Sequence, residues 1–362
     1  MRAQLLDRGR TAAVDADDVV GVVRHLTIVQ NDQTAAVAPS ADLVLWSRLG
    51  DAYTPDDLAA ALDAQQLLEL HMLIRPADDI ALYRAEMAAW PGRPGELRPW
   101  QEEVRDWFEA NGQCRMDILD LLRTDGPLPS RDLPDSCVLP WRSSGWTNNQ
   151  NVVKMLDFMV QRGEVAVAAR EGKERLFDLA ERVYPDDPAV DYDDAMIRRA
   201  ERRLHALGIA RRKSAQMPGE PNDVGDAGEA AVVDGVKGEW RVDPAYLDGS
   251  RFEGRAALLS PLDRLVYDRK RLEEIFEYDY QLEMYKPVAQ RRWGYWAMPV
   301  LYGDRLVGKL DATAERAAGV LRVDALHWDA PPSKTMAAAV RREVGALAAW
   351  LGLELDDLSG PG

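Results

Sequence analysis

The sequence predicts an α+β fold, helical over most of its first 250 residues and β-rich after that. Two observations carry this. Apolar residues recur at spacings of three and four along segments such as "TPDDLAAALDAQQLLEL" and "NVVKMLDFMVQ", the period of an amphipathic helix. From Arg251 apolar and polar residues alternate instead, and Gly303-Asp304 stands between "WAMPVLY" and "RLVGKLDA" as the turn of a hairpin. At 362 residues and 46% hydrophobic content the chain can build two or three cores. Charges interrupt every apolar run well short of the roughly 18 residues that span a bilayer, and "MRAQLLDRGRTAAVDADD" has no signal-peptide core. A cytoplasmic protein with no membrane partner is expected. Cys114, Cys137 and four scattered histidines (His25, His71, His205, His327) form no CxxC or HExxH spacing, so neither a disulfide framework nor a metal cofactor is expected.

Taken in order, residues 1–95 read as short helices: "DADDVVGVVRHLTIVQ", "SADLVLWSRL", "TPDDLAAALDAQQLLEL" and "PADDIALYRAEMAAW", with Ser40, Thr54 and Asp78-Asp79 as start signals. The Pro/Gly-rich "WPGRPGELRPW" then reads as a linker. Residues 96–190 give helix, short helix, helix, then two strand-like runs around a charged Gly turn in "AVAAREGKERLFDL". That is the order of a winged helix-turn-helix, whose third helix can enter the DNA major groove. Thr147, Asn148, Asn149 and Gln150 are placed at the start of that helix. Asn148 and Asn149 suit base-edge contacts, and Thr-Asn-Asn equally suits an N-cap. Residues 191–250 read as a second, degenerate winged helix, with the Gly/Asp-rich stretch Gly219 to Gly228 as a flexible turn or its wing. Residues 251–362 read as a small C-terminal β-barrel or sheet, with "YQLEMYKP" among its strands, closed by a final helix "TMAAAVRREVGALAAWLGL".

The formal charge of −16 argues against nucleic acid on average, but the charge is polarised. From Asp42 to Asp79, Arg48 and Arg75 face eight acids, whereas from Arg198 to Lys213 seven Lys/Arg face Glu201 alone. Arg198, Arg199, Arg202 and Arg203 fall at helical spacings as a basic stripe. The stretch "YKPVAQRRWGYW" interleaves Lys286, Arg291 and Arg292 with Tyr285, Trp293, Tyr295 and Trp296. Cations among aromatics suit phosphate contacts with stacking or wedging; alternate aromatics of a strand also suit a core. The sequence leaves open whether Trp293 or Tyr295 faces outward.

The polar cluster Gln30-Asn31-Asp32-Gln33 interrupts core-like segments on both sides. Read locally, it is a helix C-terminus and turn before the cap at Ser40. The stretches "VQNDQTAAVAPSADLVLWSRLG" and "SPLDRLVYDRKRLEEIFEYDYQLEMYKPVAQRRWGYWAMPVLYGDRLVGKLD", however, resemble the YcaQ/AlkZ family of winged-helix DNA glycosylases. The resemblance covers essentially the whole chain. It implies tandem winged helices before a C-terminal β-barrel, and a nucleoid-associated monomer acting on double-stranded DNA with alkylated or crosslinked bases. It further implies excision of N-alkylated purines, bulky adducts and interstrand crosslinks included, without metal or other cofactor. The family's catalytic signature is Gln-x-Gln or Gln-x-Asp, and Gln30-Asn31-Asp32 matches the second form. Asn31 stands where an aliphatic residue is common, and Gln33 where this branch often has proline.

Hydrolysis of an N-glycosidic bond passes through an oxocarbenium-like sugar attacked by water from the face opposite the departing base. A carboxylate stabilises that cation and takes the water's proton, the role assigned to Asp32. Alkylated purines already carry positive charge and leave without a strong general acid, so one carboxylate and one amide suffice. Gln30 then positions the water or the sugar phosphate. Asn31, Gln33 and His25 are candidate site-lining residues. No lysine lies near the motif in sequence, which favours hydrolysis over a Schiff-base lyase step. The alternative is a non-catalytic winged-helix DNA-binding protein or transcriptional regulator.

Overall fold

The computed structural model describes residues 1–7, 18–93, 95–145, 147–214, 219–249 and 252–357. Asp15 to Asp17 at the start of the first expected helix, and Arg251 at the start of the β-rich region, lie outside them. The chain divides into two units, Met1–Leu58 with Ala200–Gly362, and Ala59–Arg199.

The first unit begins with α1 (Val19–Leu26), β1 (Val29–Gln30) and α2 (Ser40–Leu49). Asp18 caps α1 by accepting the Gly21 N–H at 2.7 Å, and Val19, Val22, Val23 and Leu26 form its buried face. Thr27, at φ 65°, ends the helix before the polar cluster is reached. Gln30 therefore lies on a short strand, not on a helix C-terminus. In α2 every residue from Ser40 to Arg48 is buried, as expected of a helix apolar on most of its circumference. Helix α3 (Pro55–Asp63) follows, with the Asp57 carboxylate accepting from both the N–H and the hydroxyl of Thr54.

The second unit holds β2 (Leu67–Leu70), β3 (Leu73–Pro76), α4 (Arg84–Ala88), α5 (Pro99–Ala110), α6 (Gly112–Asp125), β4 (Leu128–Pro129) and α7 (Asn151–Gln161). The hairpin β5 (Val165–Glu171) and β6 (Glu174–Leu179), α8 (Ala180–Val183) and most of α9 (Tyr192–Leu207) complete it. Its strands run β3-β2-β5-β6-β4, with α6 and α7 packing Ile118, Leu122, Met155 and Met159 against Val165 and Phe177. Two expectations change here. "QQLLELHMLIRP" is a hairpin, not the end of a helix: His71 and Met72 both take positive φ, 56° and 63°, giving the turn a backbone that hairpin rules associate with Asn-Gly. Helix α7 starts at Asn151, because Asn149 sits at φ 60° and holds Thr147–Gln150 in a turn.

The first unit resumes with the end of α9, then β7 (Ile209–Arg211), β8 (Glu229–Val233) and β9 (Val236–Val242), a small sheet in the order β7-β9-β8. There follow β10 (Arg255–Leu258), α10 (Arg264–Tyr267), α11 (Arg269–Phe276), β11 (Met298–Gly303), β12 (Arg305–Glu315), β13 (Val320–Trp328), α12 (Lys334–Trp350) and β14 (Glu354–Asp357). Strands β10 to β14 pair in sequence order and curl into a half-barrel. The β11–β12 hairpin turns at Gly303, φ 65°, where expected. "YQLEMYKP" is not a strand; Glu283 within it turns its carboxylate inward to hold the following loop. The parallel strand β14 was not foreseen. The basic stripe on α9 is also corrected. Arg199 and Arg203 are buried, Arg199 paired with Glu86 at 2.6 Å and Arg203 with Glu220 at 2.8 Å.

Candidate active site

The segment from the last residue of β1 to α2 carries the Gln-x-Asp motif and is braced at three points. The Asp32 carbonyl accepts the Ser40 N–H at 3.1 Å, so the segment folds back on the first turn of α2. The Ser40 hydroxyl, fully buried, bonds that of Ser260 at 2.8 Å. The Ala36 carbonyl accepts the Ala314 N–H of β12 at 2.8 Å. Helix α2 is itself pinned by a buried ion pair between Arg48 and Asp263, 3.0 Å from Nη2 to Oδ1. Ser260 and Asp263 belong to "SPLD", quoted above only as part of a resemblance. They form the clamp behind the motif, which pattern reasoning did not assign.

Within the motif, Asp32 Oδ1 accepts the Thr34 N–H at 2.8 Å in an Asx turn, and Oδ2 makes no hydrogen bond to a described residue. Gln30 Oε1 is buried and likewise accepts none. Buried amide oxygens nearly always have a partner, so Gln30 Oε1 is an acceptor that the described residues leave open. Asn31 is buried, and its Oδ1 accepts from Gln33 Nε2 at 2.8 Å. Asn31 and Gln33 thus bond each other. His25 turns elsewhere, with Nε2 at 3.1 Å from the Ala3 carbonyl and its ring edge-on to His205. Burial lowers its pKa and favours the neutral ring.

Strand β12 also supports the basic loop. Gly294, at φ 123°, lies so close over Asp311 that a Cβ there would fall 2.0 Å from the carboxylate. Asp311 and Ala314 are three residues apart, so the motif and the basic loop are anchored about 10 Å apart along one strand. Burial pushes the Asp311 carboxyl up, with Asp324 adding to it and His327 and Arg291 opposing. The loop is held by Glu283, whose buried carboxylate accepts the N–H groups of Arg292 and Trp293 at 2.7 and 2.8 Å and the Lys286 ammonium at 2.8 Å. Trp293 is buried and stacks on Tyr280, whereas Tyr295 is 39% exposed with Arg291 over its ring. Trp293 faces inward and Tyr295 outward. Arg292 is largely exposed beside Asp279. Tyr285 and Val288 are 88% and 76% exposed and stand out from this loop together, Val288 being the one that the aromatic spacing does not single out.

Asn148 and Asn149 are exposed in the second unit. Asn148 Oδ1 accepts the Ser143 N–H at 3.2 Å and Asn149 Oδ1 accepts from Arg142 at 3.0 Å, so both shape the turn before α7.

The family match places the chain among the DNA glycosylases. The chain belongs to the AlkZ-like family, its model, described as DNA glycosylase AlkZ-like, matching residues 23–350. Among solved structures the chain is similar to the Streptomyces sahachiroi DNA glycosylase AlkZ, with a TM-score of 0.63 over 98% of both chains at 16% identity. Among the described residues no helix is long and apolar enough to cross a membrane.

Proposed function

We propose that the protein is a monofunctional glycosylase hydrolysing the N-glycosidic bond of alkylated purines in duplex DNA, of the N7-alkylguanine and N3-alkyladenine type, bulky adducts and interstrand crosslinks included. The observation that carries this is the pair of acceptors at the motif: Gln30 Oε1, buried, two residues from Asp32 Oδ2, neither bonded to a described residue. Asp32 stabilises the developing oxocarbenium and takes the proton of the attacking water, while Gln30 orients that water or the sugar. The leaving base is already cationic, so no second carboxylate is required. Lys309, on the same β12 as the motif's anchor, has its ammonium on Asp329 and over the Tyr278 ring, which supports hydrolysis over an imine route.

DNA contact is assigned to the loop of Lys286, Arg291, Arg292 and Tyr295, with Tyr285 and Val288 as its apolar tip and Trp293 as its buried support. The expected first helix is two, α5 and α6, and the expected short helix is a 3-10 turn, Ser130–Asp132; the order α6, that turn, α7 and the β5–β6 hairpin supports reading residues 96–190 as a winged helix, and α9 with β7–β9 supports a second. Asn148 and Asn149 then flank the groove-facing helix. The enzyme is taken to act as a monomer on chromosomal DNA in the cytoplasm, without a cofactor in the chemical step.

The test is base release from duplex oligonucleotides carrying N7-alkylguanine or an interstrand crosslink, read by alkaline cleavage at abasic sites. Asp32→Asn lowers single-turnover release by about 10²–10³-fold, the range for loss of one transition-state electrostatic group, and leaves DNA affinity nearly intact. Release at the wild-type rate from Asp32→Asn rules out the assignment.

A further inference from the structure

The chain has two cysteines, Cys114 on α6 and Cys137 in the segment before α7, and the second unit brings them together. Their sulfurs and a carboxylate oxygen of Asp135 all lie within 4.8 Å of one another. The geometry points to a binding site for a thiophilic divalent cation of the zinc class, with Cys114, Asp135 and Cys137 as its protein ligands.

The residues are arranged as ligands of such a site. Zinc takes thiolate sulfur at about 2.3 Å and carboxylate oxygen at about 2.0–2.2 Å, so ligand atoms around it stand about 3.5–3.8 Å apart. The observed cluster needs to close by roughly 1 Å to meet that spacing. Asp135 and Cys137 form a D-x-C turn in which the Cys137 N–H donates to Asp135 Oδ1 at 3.3 Å. Asn151, the first residue of α7, donates from Nδ2 to both oxygens of Asp135, at 3.2 and 3.0 Å, and so orients the carboxylate as outer-shell partners do in metal sites. The turn is tied to α6 a second time, where the Ser136 hydroxyl donates to Asp117, one turn beyond Cys114. Cys114 is buried and Asp135 exposed, so the cluster has an entry path and a fourth position open to solvent on the carboxylate side.

A disulfide would use only the sulfurs. A carboxylate beside them opposes the thiolate that sulfur oxidation requires, whereas a dication is favoured by all three groups. On binding, both thiols release their protons to solvent, and a charge of +2 meets three anionic ligands, leaving the site at −1. The ion would staple α6 to the segment that leads into α7, a structural role separate from the hydrolysis assigned to Asp32.

The experiment uses the full chain, reduced with a phosphine and stripped with a chelator, then titrated with Co²⁺ and afterwards with Zn²⁺. One equivalent of Co²⁺ should give a thiolate-to-cobalt charge-transfer band that Zn²⁺ abolishes, and zinc should raise the melting temperature. Cys137→Ser should lose the band. Asn151→Ala should keep it with affinity lower by about 10–100-fold, the usual effect of an outer-shell partner. Cys137 is only half-buried, so its variant tests the site where replacing the buried Cys114 could unfold the unit. Absence of the band in the wild-type chain overturns the proposal, as does a band that survives in Cys137→Ser. An intact mass short of two hydrogens in the chain before reduction, with no cobalt band from the reduced chain, overturns it in favour of a disulfide.

Discussion

The Arg48–Asp263 pair gives the sharpest stability prediction. Their side chains are 1% and 0% exposed, and the pairing is two-pronged. Arg48 also donates to the Gln4 carbonyl at 3.1 Å and the Ser47 hydroxyl at 2.8 Å, while Asp263 caps α10 through the Leu265 N–H at 3.0 Å. Asp263→Asn keeps the volume and one acceptor but leaves the guanidinium buried without its counter-charge. Breaking such a pair costs about 3–5 kcal/mol. At roughly 2–4 °C per kcal/mol for a unit of 150–250 residues, thermal unfolding followed by circular dichroism should show a midpoint lower by about 6–20 °C. Removing both charges in Arg48→Met with Asp263→Asn should recover most of the loss, because neither charge is then stranded. A single variant within about 2 °C of wild type would refute the reasoning, as would a double variant no better than the single.

Four further outcomes follow from the same geometry. Tyr285→Ala with Val288→Ser, both at exposed positions, should leave stability within about 0.5 kcal/mol and weaken binding to duplex DNA roughly 10-fold by fluorescence anisotropy. Gly294→Ala should cost about 1–3 kcal/mol in urea unfolding, since φ 123° and the Asp311 carboxylate both oppose a side chain. Gln33→Ala should cost about 1 kcal/mol by the same measurement, by taking a donor from the buried Asn31 oxygen. Burial alone would raise the Glu283 carboxyl, but the Lys286 ammonium and the N–H groups of Trp293 and Arg292 hold it below its ordinary value. Its contribution is therefore fully present above about pH 4.5 and is lost as pH falls through the lower folded-state pKa. Stability against pH should fall more shallowly below about pH 4.5 in Glu283→Gln than in wild type.

What could be read in advance divides along physical lines. Periodicity found α7, α9, α11 and α12, because each has a face whose burial needs only its own residues to specify. The β11–β12 hairpin was legible through Gly303, which supplies the positive φ its turn needs. The β2–β3 hairpin was not, since His71 and Met72 adopt the same kind of backbone without a glycine to announce it. Long-range polar contacts were the other blind spot. Ser40 with Ser260 and Arg48 with Asp263 join residues whose partners no local window contains. Gln30 and Asp32 are read as a pair from the resemblance, since spacing alone favours a helix end and turn; that no described residue meets the buried Oε1 of Gln30 is visible only with the fold.

The serine pair has a bearing on how the protein comes into being. Ser40 and Ser260 are 220 positions apart, and the contact at Ala314 lies later still. On the ribosome, the segment bearing Gln30 and Asp32 emerges long before the strand and hydroxyl that hold it. Folding proceeds from the N-terminus during synthesis, at about 5–20 residues per second. On the proposed assignment of Gln30 and Asp32, a nascent chain therefore carries both side chains for tens of seconds without the brace that aligns them, and competence to cleave a glycosidic bond arrives with the last third of translation.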